Sequence, residues 1–282
     1  MTLTLFSPAK INFFLRILGK RRDGYHELAS LFQTIDLGDT LTFSLAHDED
    51  RLTCSDLTLA CDASNLVTRA VDLFRLKTGL RFFVTIHLEK HIPIQAGLGG
   101  GSSNAATTLW ALNALHDYPV DQQDLQIWSA QIGSDAPFFF SQGTAYCTGR
   151  GEKVRNLPPV RFYEEGISLS KPNEGITTPA VYKALQLERC SKIDPEEIIA
   201  GFYSGHPTFL NDLEEPAFRL LPILQLYKKE LRNKGVINAT MTGSGTAFFG
   251  FKGELPKREH VMRSPLEWYA KMQENDAIQK FL

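Results

Sequence analysis

The segment Pro93-Ile94-Gln95-Ala96-Gly97-Leu98-Gly99-Gly100-Gly101-Ser102-Ser103-Asn104-Ala105-Ala106 stands between a run that alternates like a strand and a run spaced like a helix. Before it, Phe82, Val84, Ile86 and Leu88 alternate with Phe83, Thr85, His87 and Glu89. After it, Leu109 and Leu112 fall at helical spacing. Four glycines and two serines therefore meet a helix N-terminus. Glycine lets the backbone come close to a ligand and turn its N–H groups inward, and the helix start adds unpaired donors and a positive dipole end. Phosphate is the expected guest. The segment is not a Walker loop, since it holds no lysine and the chain has no GxxxxGK[ST]. Taken alone, it reads first as a flexible connection with Ser102 or Ser103 as an ordinary N-cap.

Working outward, Ser64 can cap a helix in which Leu66, Val67, Ala70, Val71 and Phe74 recur, and Gly79 can end it. Asp121 to Ile132 predicts another, with Gly133 just past its end. Lys10-Ile11-Asn12-Phe13-Phe14-Leu15-Arg16-Ile17 predicts a strand whose odd positions are apolar and whose even positions put Lys10, Asn12 and Arg16 on one polar face. Arg22-Asp23-Gly24 predicts a turn, and Leu41, Phe43 and Leu45 alternate after a second turn at Gly38-Asp39. Strands and helices interleave, so the expected class is α+β. Ser264-Pro265-Leu266-Glu267 predicts a further helix start near the C-terminus.

The 282 residues carry 30 Lys and Arg against 32 Asp and Glu, a net charge of -2 that draws the chain toward neither nucleic acid nor anionic membrane. A small-molecule partner is the expectation. The N-terminal residues lack a secretory pattern and no run reaches membrane-spanning length, which predicts a cytoplasmic protein. Cys54, Cys61, Cys147 and Cys190 show no CxxC spacing and are expected to be buried free thiols. His87 and His91, with only Glu89 between them, predict a polar strand face rather than a metal site, so no protein metal ligands are assigned. Phe138-Phe139-Phe140 and Phe248-Phe249 predict buried structure.

Two further segments bear on the glycine loop. Gly133-Ser134-Asp135-Ala136-Pro137 sets a carboxylate at a helix boundary, and Thr242-Gly243-Ser244-Gly245 forms a second glycine turn. Each alone is a cap or a tight turn. Together with Ser7-Pro8-Ala9-Lys10-Ile11-Asn12 and the long glycine loop, they resemble the three signature segments of the GHMP kinase superfamily. The resemblance runs from about residue 6 to about residue 250, as a match of motifs in order. It implies a two-lobe GHMP kinase fold, with an ATP-binding domain over residues 1–157 and a C-terminal, substrate-binding domain over 158–282. It further implies transfer of a phosphoryl group from ATP to an alcohol. Asp135 would be the general base, with Lys10 steadying the developing charge. ATP would lie on Pro93 through Ser103. Asn65, in an Asn65-Leu66 pair that matches the adenine pocket, is either part of that pocket or a helix cap.

Asp23-Gly24-Tyr25-His26-Glu27-Leu28 resembles the branch acting on 4-diphosphocytidyl-2-C-methyl-D-erythritol. There Tyr25 would stack on the cytosine and His26 would hydrogen-bond its edge. Tyr182 resembles the second stacking position, usually phenylalanine, and keeps the ring. Asn12 and Gly243 complete the implied substrate contacts. Mg²⁺ would be carried mainly by the ATP phosphates, with a Ser102 or Ser103 hydroxyl in reach. Another GHMP small-molecule kinase, or a GHMP-fold sensor without catalysis, are the alternatives.

Overall fold

The computed structural model describes residues 2–160 and 166–252. The helix expected from Ser264 lies outside the described residues. β1 (Thr2–Lys20) and β2 (His26–Ala46) form a long antiparallel hairpin, followed by β3 (Arg51–Cys54), α1 (Leu66–Thr78), β4 (Phe83–Glu89), α2 (Gly100–Leu115) and α3 (Gln122–Ser129). A 3₁₀ turn (Ala136–Phe140) leads to β5 (Thr144–Gly149) and β6 (Lys153–Asn156). Then come β7 (Ser168–Ser170), α4 (Thr178–Ala184), α5 (Pro195–Ser204), β8 (Leu210–Asn211), α6 (Glu214–Leu220), α7 (Ile223–Asn233), β9 (Ile237–Met241) and β10 (Phe248–Phe251).

The larger sheet runs β3-β4-β2-β1-β8, and β2 is long enough to take two partners on its outer edge. Leu28 to Gln33 pair with β5, and Thr40 to Ala46 with β4. A smaller sheet runs β7-β10-β9. Gly38-Asp39, expected as a turn, lies inside β2. The β1–β2 register shifts between Pro8 and Ala9, so the two strands stay paired through the bulge. Asp39 is fully buried there and accepts from the His91 and Ile92 N–H groups, both at 2.7 Å.

A second irregularity corrects the polar face expected of β1. Asn12 pairs with Phe32 and Phe14 with Leu31, so Phe13 is an extra residue. A bulge of one residue moves every later side chain to the opposite face. Lys10 and Asn12 stay together, and Leu15 joins them in the cleft wall. Arg16 leaves that face and pairs instead with Asp212, Nε to Oδ2 at 3.3 Å. Ala9, Ile11, Phe13 and Phe14 meet Phe202, Phe249 and Phe251 in one apolar cluster, whereas Leu15 and Ile17 join Val181, Leu213 and Phe248 in another.

A third cluster packs Leu41, Phe43, Val84 and Ile86 of the sheet against α1, α2 and the buried Phe138-Phe139-Phe140. Two helix ends differ from expectation. Asn65 caps α1, its side chain accepting from Val67 N, because the Ser64 hydroxyl is taken by Asp62 Oδ1 at 2.6 Å. Gly79 ends α1 at φ 72° as expected. The α3 helix stops at Ser129, short of Ile132, where the Ser129 hydroxyl bonds Gln126 O and the chain tightens into i→i+3 turns. The four cysteines are free thiols, but only Cys147 and Cys190 are buried. Cys61, in the loop before α1, is exposed.

Candidate active site

The glycine segment links β4 to α2 and lines a cleft of about 1010 Å³. Gly99 is the N-cap of α2, at φ 71°, and among the described residues no side chain caps the helix. The first-turn N–H groups of Gly100, Gly101 and Ser102 therefore lie in the cleft wall without a side-chain acceptor, a ready anion site. Ser103 does not join them. Its N–H bonds Gly99 O and its hydroxyl bonds Ser7 Oγ at 2.8 Å, both inside the protein. The other expected loop residues, Pro93 through Ser102, line the cleft. Asn65 both lines it and caps α1, so the two alternatives for that residue coexist.

The Thr242–Gly245 turn holds this loop by backbone contact. A Cβ on Gly243 would stand 2.8 Å from Gly97 O, and one on Gly245 would overlap the Ala96–Gly97 peptide. Ala247 N donates to Ala96 O at 3.2 Å. The turn is itself pinned by Asn211, whose Nδ2 donates to Met241 O and Gly243 O at 2.7 and 2.8 Å. Glycine is needed in both motifs because two main chains touch there.

Lys10 is 3% exposed. Its Nζ lies 3.2 Å from Asp135 Oδ2, donates to Asn12 Oδ1 at 2.7 Å and sits 4.6 Å over the Phe32 ring. Asp135 is 29% exposed and faces the cleft, so one carboxylate edge meets the ammonium while the group stays open to a ligand. Asn12 is held in turn by Ser30 Oγ at 2.8 Å and Thr242 Oγ1 at 3.1 Å. Gly99 is part of the same packing: a Cβ there would come 2.9 Å from Lys10 Cγ. The neighbouring Cys147 thiol is buried, and burial, then the charge of Asp135, pushes its pKa well up, so it is inert.

At the other end of the cleft, His26 and Tyr182 face one another with ring centroids 5.3 Å apart, and Tyr25 stands at the mouth, 54% exposed. Burial, helped by the charge of Lys20, lowers the His26 pKa and favours the neutral ring. Burial first, then the charge of Asp135, raises the pKa of the Tyr182 phenol and keeps it neutral. Tyr25, His26, Tyr182, Asn12 and Gly243 all line the one cleft.

Sequence reasoning left several neighbours out. Lys90, Arg150 and Lys183 join Lys10 and Lys20 in the lining, where Asp135 is the single acidic side chain among the described residues. Such a wall attracts polyphosphate. Lys90 was within reach of a sequence argument, since it stands between a strand and the glycine loop. Its Nζ is held by both Asp39 oxygens, at 3.1 and 2.9 Å, and by Ile92 O. Of the adjacent Lys20, Arg21 and Arg22, only Lys20 lines the cleft, and Arg21 is taken by Asp23 and Glu27.

Residues 65–143 match the GHMP kinases N terminal domain, and residues 176–269 match the GHMP kinases C terminal family. A 4-diphosphocytidyl-2-C-methyl-D-erythritol kinase of Protochlamydia amoebophila is 48% identical over 276 residues, which span 95% of this chain and 93% of the relative. The chloroplastic kinase of the same description from Arabidopsis thaliana is 49% identical over 88% of this chain and 67% of its own length. A crystal structure of 4-(cytidine 5'-diphospho)-2C-methyl-D-erythritol kinase has the same fold, with a TM-score of 0.73 at 37% identity over 88% of this chain and 90% of that one. The chain belongs to the 4-diphosphocytidyl-2-C-methyl-D-erythritol kinase family of GHMP kinases.

As a GHMP kinase it is an ATP-dependent small-molecule kinase with the mixed α/β fold of that superfamily. The kinase has no helix, among its described residues, long and apolar enough to cross a membrane. Nor do those residues hold a group of three His, Cys, Asp or Glu side chains placed for a metal. His87 instead shares a hydrogen bond with Thr53 Oγ1 at 2.8 Å.

Proposed function

We propose that this chain transfers the γ-phosphoryl group of ATP to the 2-hydroxyl of 4-diphosphocytidyl-2-C-methyl-D-erythritol, giving ADP and the 2-phosphate. The observation that carries the proposal is the Lys10–Asp135 pair at 3.2 Å, set beside the uncapped start of α2 at one end of a cleft whose other end is lined by Tyr25, His26 and Tyr182. The α2 N–H groups of Gly100, Gly101 and Ser102, with the glycine loop from Pro93, bind the polyphosphate of ATP. Asn65 and Leu66 border the adenine.

The substrate hydroxyl approaches the open oxygen of Asp135, which accepts its proton as the phosphoryl group arrives. Lys10, fixed by Asn12 and Phe32, offers its ammonium to the developing alkoxide and to the transferred oxygens. It needs little rearrangement, which is where electrostatic stabilisation gains its effect. Tyr25, His26 and Tyr182 take the cytosine. When bound, Mg²⁺ would be carried mainly by the ATP phosphates, with the Ser102 hydroxyl in reach, and would supply neutralisation of phosphate charge. With Asp135 the one carboxylate of the described wall and the Ser102 hydroxyl beside the glycine loop, the site suits an ion that keeps phosphate and water ligands. An ATP-binding lobe to residue 157, a substrate lobe from 158 and a cytoplasmic location are parts of the same proposal.

Coupled ADP release with ATP, Mg²⁺ and the full substrate, against methylerythritol without its cytidine diphosphate, tests the reading. Turnover confined to the full substrate is expected. Asp135→Asn should lower kcat about 10²–10⁴-fold while ATP still binds; near-normal turnover would remove Asp135 from the base role.

A further inference from the structure

Tyr25 stands at the tip of the β1–β2 turn, more than half exposed, where little packing fixes the plane of its ring. A ring that must stack on a base has to be held in one plane first, or binding bears the cost of ordering it. The Arg150 guanidinium lies over that ring, its Cζ 4.9 Å from the centroid. Arg150 comes from the turn between β5 and β6, a different part of the sheet from the hairpin that carries Tyr25.

That turn is closed by one internal bond and meets its surroundings at two points. Arg150 N donates to Glu152 Oε2 at 2.5 Å, and Gly149 N donates to Glu27 Oε1 at 3.1 Å. Gly151, at φ 119°, lies so close to the catalytic carboxylate that a Cβ there would stand 2.9 Å from Asp135 Oδ1. The Tyr25 side is tied as well, since Asp23 accepts from Tyr25 N at 3.1 Å and is held by Arg21, which also grips Glu27. One three-residue turn thus reaches both the aromatic ring at the mouth and the carboxylate at the reacting end.

We propose that Arg150 is a positioning residue for the pyrimidine end of the substrate: its guanidinium covers one face of Tyr25 and presents the opposite face to the cytosine base. The inference rests on the proposed function for the identity of the base. A planar guanidinium suits the role because it stacks on a ring as well as attracting it. The same turn abuts Asp135, so one short segment contacts both the base-reading ring and the proton acceptor.

The experiment is a double-mutant cycle read by steady-state kinetics and by calorimetric binding of cytidine 5′-diphosphate. Arg150→Ala should raise KM for the full substrate about two- to fivefold, the range of a cation–aromatic contact. In a Tyr25→Ala background the same change should do nothing further, and Arg150→Lys, which keeps a cation over the ring, should recover part of the loss. An unchanged KM in Arg150→Ala, or an equal rise with Tyr25 already removed, overturns the inference. Cytidine diphosphate binding separates the two proposals: if the wild-type protein fails to turn over but Arg150→Ala still weakens that binding, the reaction is refuted and the inference stands. Equal binding by wild type and Arg150→Ala refutes the inference whatever the reaction.

Discussion

Replacing Gly99 by alanine should separate catalysis from stability in a predictable way. Gly99 sits at φ 71°, a region that costs an L residue about 1–2 kcal/mol. The new methyl would also stand 2.9 Å from Lys10 Cγ, 3.1 Å from Lys10 Cε and 3.2 Å from Phe139 Cζ. Those separations are inside the carbon–carbon optimum of about 3.5–4.0 Å, and overpacking of this kind costs about 1–3 kcal/mol. The total is about 2–5 kcal/mol. The lysine chain yields more easily than the buried Phe139 ring, so relief comes by moving Lys10, and the stability loss should fall at the low end. Its ammonium then leaves its place 3.2 Å from Asp135, and a displacement of about 1 Å is enough for a rate loss of about 10²-fold. Coupled ADP release gives kcat and urea unfolding gives stability. In a Lys10→Ala background the stability cost of Gly99→Ala should shrink toward its backbone part. Near-native kcat in Gly99→Ala, or an undiminished stability cost without the lysine, would refute the reasoning.

Other expectations follow from the same geometry. Asp39→Ala leaves Lys90 buried without its partner and orphans two backbone N–H groups, and should cost about 3–5 kcal/mol in urea unfolding; a loss too small to detect would count against the buried pair as an anchor. Tyr182→Phe should leave the KM for the cytidine substrate unchanged, while Tyr182→Ala should raise it about tenfold or more, because the ring and not the hydroxyl does the stacking. For His26, burial and Lys20 put the folded pKa below the ordinary 6.5, so the unfolded chain takes up a proton first as pH falls. Its contribution to stability is therefore complete above pH 6.5 and is lost on acidification toward the folded pKa. Substrate KM should hold steady down to that range and rise below it. His26→Gln should flatten the profile, and an identical rise in the variant would assign it to another group.

The α+β class, the strand before the glycine loop, the helix after it and the apolar positions of α1 were legible because each depends on local periodicity and on glycine at a chain reversal. The residues proposed for phosphoryl transfer were singled out only by the order of their motifs, since a carboxylate at a helix boundary, a lysine on a strand and a glycine-rich helix start are each commonplace alone. Arg16 shows the limit. Its parity with Lys10 and Asn12 predicts a shared face, yet the extra residue at Phe13 turns it toward Asp212, and a bulge is decided by how β2 pairs, not by β1. The Gly38-Asp39 turn failed for the same reason, since paired strands can run through a sequence that would bend an isolated one. Ser103 carries the right hydroxyl but faces Ser7 across the core, an orientation that helix phase and sheet packing choose together. The sequence by itself determined which chemical groups were available. Only the tertiary structure decided which of them share a cleft, that Gly243 and Gly245 serve a backbone contact 146 and 149 residues away from Gly97 and Ala96 respectively, and that Arg150 reaches Tyr25, because contacts between distant segments depend on how sheets and helices close on one another.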